Sequence, residues 1–247
     1  MLNIQDAENG DAYVDLSNKK LKKIPDFESN KHTQNIHYLF INNNNITQIR
    51  NQLSAFNSLI VLDISFNQLT FISDLPLSLI ELDCSNNDIE QIASHAKLER
   101  LICSNNKISS LGDFPNLQKI DCNNNKMVII PTFPKCNKLE CNNNPVLQIM
   151  PQPLLQQLYC SNTKLCELVG FNNVTTLVCN DTPIHSILKF SNLYRAEIIN
   201  TLITTFEYFP KLCSVTLRSK VIYFHSKYRL SSVRNQHDVM VLYFIPS

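Results

Sequence analysis

The cysteines hold the most latent chemistry in this 247-residue chain, and six of its nine, Cys84, Cys103, Cys122, Cys141, Cys160 and Cys179, recur at intervals of 19. Thiols so spaced can ligate metals, relay electrons or pack as small hydrophobes. Tetrahedral zinc wants ligands converging from several directions, commonly through C-x2–4-C pairs, and no C-x-x-C occurs here. On successive parallel strands the six would stand in single file about 4.8 Å apart, flanked by leucines. That arrangement reads as a core column of reduced thiols. Cys136 falls on another inward position and takes the same reading. Such a column persists in a reducing cytosol. Neither a metal nor a cofactor is expected.

The other reactive groups are equally dispersed. None of the six histidines sits in an H-E-x-x-H or nucleophile-elbow context. His95 and His185 fall on turns or outer segments and are expected to be solvated, while His37 lies beside the first full strand. Carboxylates on flat, solvated strands lack the burial that tunes a pKa for acid–base work. The three glycines, Gly10, Gly112 and Gly170, are too far apart to cradle a phosphate. A formal net charge of +1 argues against gripping nucleic acid or an anionic membrane over the whole surface. The expectation is no enzyme, no small-molecule substrate and no nucleic acid.

These residues are placed by a repeat. Ile36-x-x-Leu39-x-Ile41-x-x-Asn44-x-Ile46-x-x-Ile49 sets a template that recurs through Leu79, Leu82, Cys84, Asn87, Ile89, Ile92 and onward to Leu212, Val215, Leu217, Lys220, Ile222. The marker falls at 44, 67, 87, 106, 125, 144, 163, 182, 201 and 220, so that after steps of 23 and 20 the period is 19 seven times running. A unit this short cannot bury its apolar positions alone, so neighbours must stack. The marker asparagines suit the turn after each strand, where an amide can bond to main-chain groups of the adjacent coil. Thr163, Thr182 and Thr201 keep a polar group there with shorter reach and should bond differently. Pro76, Pro115, Pro131, Pro134, Pro151, Pro153 and Pro183 populate the return segments and favour extended backbone over helix.

This pattern, L-x-x-L-x-L-x-x-N-x-L-x-x-L over roughly residues 13–222, resembles the leucine-rich repeat family. The resemblance implies an α/β-type repeat solenoid: a right-handed superhelix with a parallel concave sheet and an extended, helix-poor convex side. Leu75-Pro76-Leu77-Ser78-Leu79 and Ile130-Pro131-Thr132-Phe133-Pro134 are similar to the L-P-x-x-L segments of short-repeat bacterial effectors, a repeat class shared with giant-virus proteins. Some such effectors append a ligase domain with a nucleophilic Cys. The residues after the last repeat are too few for one, and none is expected here. The expected organisation is an N-terminal cap with a partial repeat over 1–30, about ten repeats over 31–222 and a C-terminal cap over 223–247.

On that template the variable residues beside each Leu-x-Leu point into the concave face. Tyr38, Phe40, Val61 and Phe66 gather near the N-terminal end, as an exposed binding patch or as residues covered by the cap. Arg100, Lys119 and Lys138 form a basic stripe beside acidic Asp121 and Glu140, read either as contacts or as charge compensation on a solvated face. Tyr159, with Ile102, makes a weaker spot. The stretch from Arg218 onward carries +4 net, leaving −3 for the rest. It contains Val239–Ile245, which reads as a capping strand or hairpin, with Val221–Phe224 as a candidate partner.

The chain starts without the basic, apolar pattern of an export signal and has no run of ~18 apolar residues. The sequons at Asn45, Asn173 and Asn180 then read as chance occurrences. The expected protein is cytoplasmic, monomeric, without a transmembrane segment, and binds a protein partner through its concave face. Two alternatives stay open: a pathogen- or virus-encoded effector acting on a host factor, and a scaffold that self-associates through a solenoid edge or end.

Overall fold

The computed structural model describes residues 5–6, 12–27, 33–49, 52–53, 55–206, 209–218, 222–225, 227, 229–236 and 239–245. Gly10, His32, Lys220, Val221, His237 and Asp238 lie outside them. The chain divides into two compact units, Met1–Lys126 and Met127–Ser247.

In the first unit each coil contributes a short strand to a main sheet. The strands Ala12–Asp15, Ile36–Phe40, Val61–Asp63, Glu81–Asp83, Arg100–Ile102 and Lys119–Asp121 run parallel in that order, with Gln5–Asp6 antiparallel at the end. A three-residue strand alternates once, so its central residue points inward and its neighbours outward. Leu62, Leu82, Leu101 and Ile120 are accordingly buried between flanking residues that are half-buried or exposed. On the return side the only pairing in this unit, among the described residues, joins Phe71–Ile72 to Gln91–Ile92. The sole helical element described is the three-residue 3-10 turn Thr33–Asn35. The helix-poor return expected from the proline scatter is present.

The second unit repeats the scheme. Lys138–Glu140, Gln157–Tyr159, Thr176–Val178, Arg195–Glu197 and Ser214–Arg218 run parallel. Its return side is more regular, with Ile129–Ile130 on Gln148–Ile149, Glu167–Val169 on Ser186–Leu188, and Thr205–Phe206 on Tyr223–Phe224. The last of these corrects the expected cap. Tyr223–Phe224 continues the return-side stack, and Val239–Phe244 pairs antiparallel with both Ser214–Arg218 and Leu230–Gln236. Packing explains the exchange. Phe206, Phe209, Phe224 and Phe244 form a chain of ring contacts 5.3–5.5 Å apart that closes this end of the core.

Asparagine has two structural uses. The residue before each marker from 44 to 201 lies in the left-handed region: Asn43, Asn86, Asn105 and Asn124 in the first unit, Asn143, Asn162, Asp181 and Asn200 in the second. Asn and Asp tolerate that conformation best among residues with a Cβ, which accounts for the Asn-Asn pairs. Phe66 occupies the same position with φ 52°. The marker itself bridges coils. Asn67 donates through Nδ2 to the carbonyls of Ile41, Ile64 and Ser65 and accepts from Ile46 N through Oδ1, all at 3.0–3.2 Å. Asn87, Asn106 and Asn125 repeat this set.

The return segments hide a further core column that the six-position template omits. Phe56, His95 and Phe114 are buried there in the first unit, and Phe133, Gln152, Phe171, Phe190 and Phe209 in the second. The expectation of a solvated His95 is thereby corrected, since it is only 5% exposed. Its Nε2 lies 2.9 Å from the Pro76 carbonyl, and its Nδ1 faces the N–H groups of Lys97 and Leu98. A ring with one donating and one accepting nitrogen satisfies all three. Gln152 does the equivalent, donating to the Pro131 carbonyl at 2.6 Å and accepting from Phe133 N at 3.0 Å. His185 is exposed, as expected.

Candidate functional site

The cysteine column is shielded from solvent. Cys84, Cys103, Cys122, Cys136, Cys141, Cys160 and Cys179 are all buried. Burial pushes Cys84, Cys103 and Cys160 well above the ordinary thiol range, and Cys136, Cys141 and Cys179 up to about 12. Thiols held protonated are neither nucleophiles nor metal ligands at neutral pH. Cys166 is exposed and Cys213 half-buried, both off the column. Among the described residues no group of three or more His, Cys, Asp or Glu side chains converges to hold a metal ion.

The outward side of the main sheet remains. In the first unit Tyr13, Tyr38, Val61, Glu81, Arg100 and Lys119 form one in-register row, and Asp15, Phe40, Asp63, Asp83, Ile102 and Asp121 form the next. Tyr38, Phe40 and Val61 are half-buried. Phe66 stands off the strands on the following turn and is 53% exposed. The structure thus brings three of the four predicted aromatic and aliphatic residues together and sets the fourth on the rim.

The basic stripe is largely engaged within the chain. Arg100 Nη1 lies 3.4 Å from Glu81 Oε2 on the adjacent strand, both about half exposed, an arrangement worth little for stability. In the second unit Lys138 Nζ is 2.5 Å from Glu140 Oε1 and sits 5.6 Å from the Tyr159 ring centroid. Arg195 approaches Glu197 at 3.5 Å. Lys119 is exposed and makes no ion pair among the described residues.

Several strand-end acids have structural work. Asp15, Asp63 and Asp83 each accept, through Oδ1, from the backbone N–H and hydroxyl of the serine two residues on. These side-chain turns fix where each strand ends. The two serine bonds hold the Asp15 carboxyl below the usual range. Burial raises that of Asp83 despite its own serine, with the neighbouring Asp63 charge adding to the rise.

A concavity missed in the sequence lies in 127–247 just before the strands. It is a groove of about 700 Å³ lined by Lys135, Gln156, Thr175, Asn192, Tyr194 and Lys211 among others. Its signal was the column of polar residues preceding each strand. These residues are tied to one another, as in Lys211 Nζ donating to Asn192 Oδ1 at 2.6 Å. Among the described residues no helix is long and apolar enough to cross a membrane.

A model of leucine-rich repeats in two copies matches residues 96–135. No curated protein sequence matches the chain. Solved structures match it in fold. YopM from Yersinia enterocolitica superposes with a TM-score of 0.61 at 20% identity, over 80% of this chain and 48% of that one. YopM from Yersinia pestis, a leucine-rich effector protein, gives 0.58 at 18% identity, over 86% and 78%. The LRIM1/APL1C complex gives 0.66 at 20% identity, over 92% and 45%. The chain therefore spans about half the length of the first and third of these structures. Repeat spacing, strand register and these matches give the chain the leucine-rich repeat fold with a short repeat, similar in fold to bacterial effector leucine-rich repeat proteins.

Proposed function

We propose that this protein is a non-enzymatic interaction module that binds a partner protein through the outward face of its main sheet. The observation that carries the reading is the in-register cluster of Tyr38, Phe40 and Val61, with exposed Phe66 on its rim. Aromatic groups beside charges are the usual anchors of protein-binding surfaces. Leucine-rich repeat folds serve as interaction modules, and the LRIM1/APL1C match is itself a complex. Affinity capture comparing the native chain with Tyr38→Ala/Phe40→Ala tests it. Loss of the captured protein supports the patch, and unchanged capture removes it.

The likeness to YopM motivates a more specific reading, a host-directed effector that acts by occupying a host protein. Proximity labelling in a host cell distinguishes the two. Under the effector reading the labelled proteins belong to the host and disappear with the Tyr38→Ala/Phe40→Ala variant.

A further inference from the structure

The charge pattern of the same face narrows its partner, an inference that rests on the interaction-module reading above. Asp63 and Asp83 are Cα partners on adjacent parallel strands, so their side chains leave the same side of the sheet. Each commits Oδ1 to a serine. Arg100, the nearest base, is directed to Glu81 and offsets Asp83 only weakly. Among the described residues no cation forms an ion pair with either aspartate. Like charges directly opposed on neighbouring strands destabilise a sheet. A cation brought by a partner relieves that repulsion and gains two carboxylates at once.

Phe40 is in register with Asp63 on one side and Asp15 on the other, and Tyr38 and Val61 form the adjoining row. A doubled negative charge therefore directly adjoins an apolar, aromatic step. An acidic segment or a nucleic-acid backbone would have to approach those carboxylates unpaired, which disfavours both. We infer that the strands Ile36–Phe40, Val61–Asp63 and Glu81–Asp83 dock a partner-protein segment that presents Arg or Lys beside an aliphatic or aromatic side chain. The cation seats between Asp63 and Asp83, and its apolar neighbour lies against Phe40 and Tyr38.

A random peptide library displayed against the full chain, followed by fluorescence-polarisation titration of the enriched peptides, tests this. Enriched sequences are expected to carry Arg or Lys next to Leu, Ile, Phe or Tyr. Asp63→Asn/Asp83→Asn keeps the acceptors for the serine bonds and should weaken these peptides about tenfold or more. Its melting temperature without peptide should not fall. Arg100→Gln/Lys119→Gln should change affinity less than about twofold, and added salt should weaken binding. Acidic peptides that lose affinity with Arg100→Gln/Lys119→Gln would overturn the cationic partner while leaving the binding face in place. Peptides insensitive to every substitution on the face, including Phe40→Ala, would overturn both, as would a library yielding none.

Discussion

In the unit 1–126 the marker asparagines reach across coils, whereas in 127–247 Thr163 and Thr182 bond inside their own. Asn125 Nδ2 donates to the Cys103 carbonyl of the preceding coil and its Oδ1 accepts from Ile108 N. Thr163 Oγ1 donates to the Cys160 carbonyl at 2.9 Å and Thr182 Oγ1 to that of Cys179 at 2.8 Å, each three residues back. In the second unit Asn144 still accepts from Met127 N at 3.0 Å, and beyond it the inter-coil bonds lie farther out, as the bond of Asn124 to Asn105 already does in the first unit. Asn142 Oδ1 accepts from Ser161 N and Asn180 Oδ1 from Ile199 N, both at 2.7 Å, and Asn162 and Asn200 bond to Asn143 and Asp181. The marker bonds that tie one coil to the next run through Asn144, and at Thr163 and Thr182 bonds nearer solvent take their place. The shape of the coil survives because what it requires is a side chain tying neighbouring turns, wherever that side chain sits.

The largest difference expected between the units is chemical. Alkylation of the native protein near pH 8 should modify Cys166 rapidly and Cys213 slowly, both in 127–247, and leave 1–126 unlabelled, as read by peptide mass spectrometry. Burial holds the folded thiols above 9.0, the ordinary value they regain on unfolding, so the unfolded chain loses their protons first as pH rises. Their contribution is intact below pH 9.0 and is lost as pH climbs toward about 12, so denaturant stability should fall across that window.

Next in size is Asn67→Ala, which strands several buried groups and should cost about 2–4 kcal/mol in urea unfolding. Thr182→Val removes one bond within a coil and should cost about 1 kcal/mol. Equal costs would show that the buried ladder has no special role. Smallest is Phe66→Asn, which places in the left-handed turn the residue found there in most other coils. It should stabilise by about 1 kcal/mol, measured by the same method.

Much of the architecture was legible because a 19-residue period leaves few ways to arrange the marker, the inward pair and the prolines. The thiol column and the changed bonding of the threonines followed from position alone. The return-side column escaped because its period is interrupted: His95 and Gln152 stand where Phe114, Phe133 and Phe171 would suggest an aromatic. Their burial is possible only because a proline carbonyl of the preceding coil meets each one, and that is a fact of backbone placement. The cap pairing was missed for a similar reason, since an apolar alternation marks Val239–Phe244 as a strand without saying which edge it joins. On the candidate face, spacing located Arg100 and Lys138 but not the directions in which their long side chains turn. Their engagement with Glu81 and Glu140 shifts attention to Asp63 and Asp83.

The contrast between the units also bears on function. The first unit's face combines Tyr38, Phe40 and Val61 with Asp63 and Asp83, which form no ion pair among the described residues, while in the second Lys138–Glu140 and Arg195–Glu197 pair internally. The most direct test places a photo-crosslinking amino acid at Val61 in one protein and at Val178 in another, both half-buried outward strand positions. Each is irradiated with the partner captured by the native chain. A partner adduct from position 61 and none from 178 is the predicted result. An adduct from 178 alone would contradict the assignment of binding to the N-terminal unit.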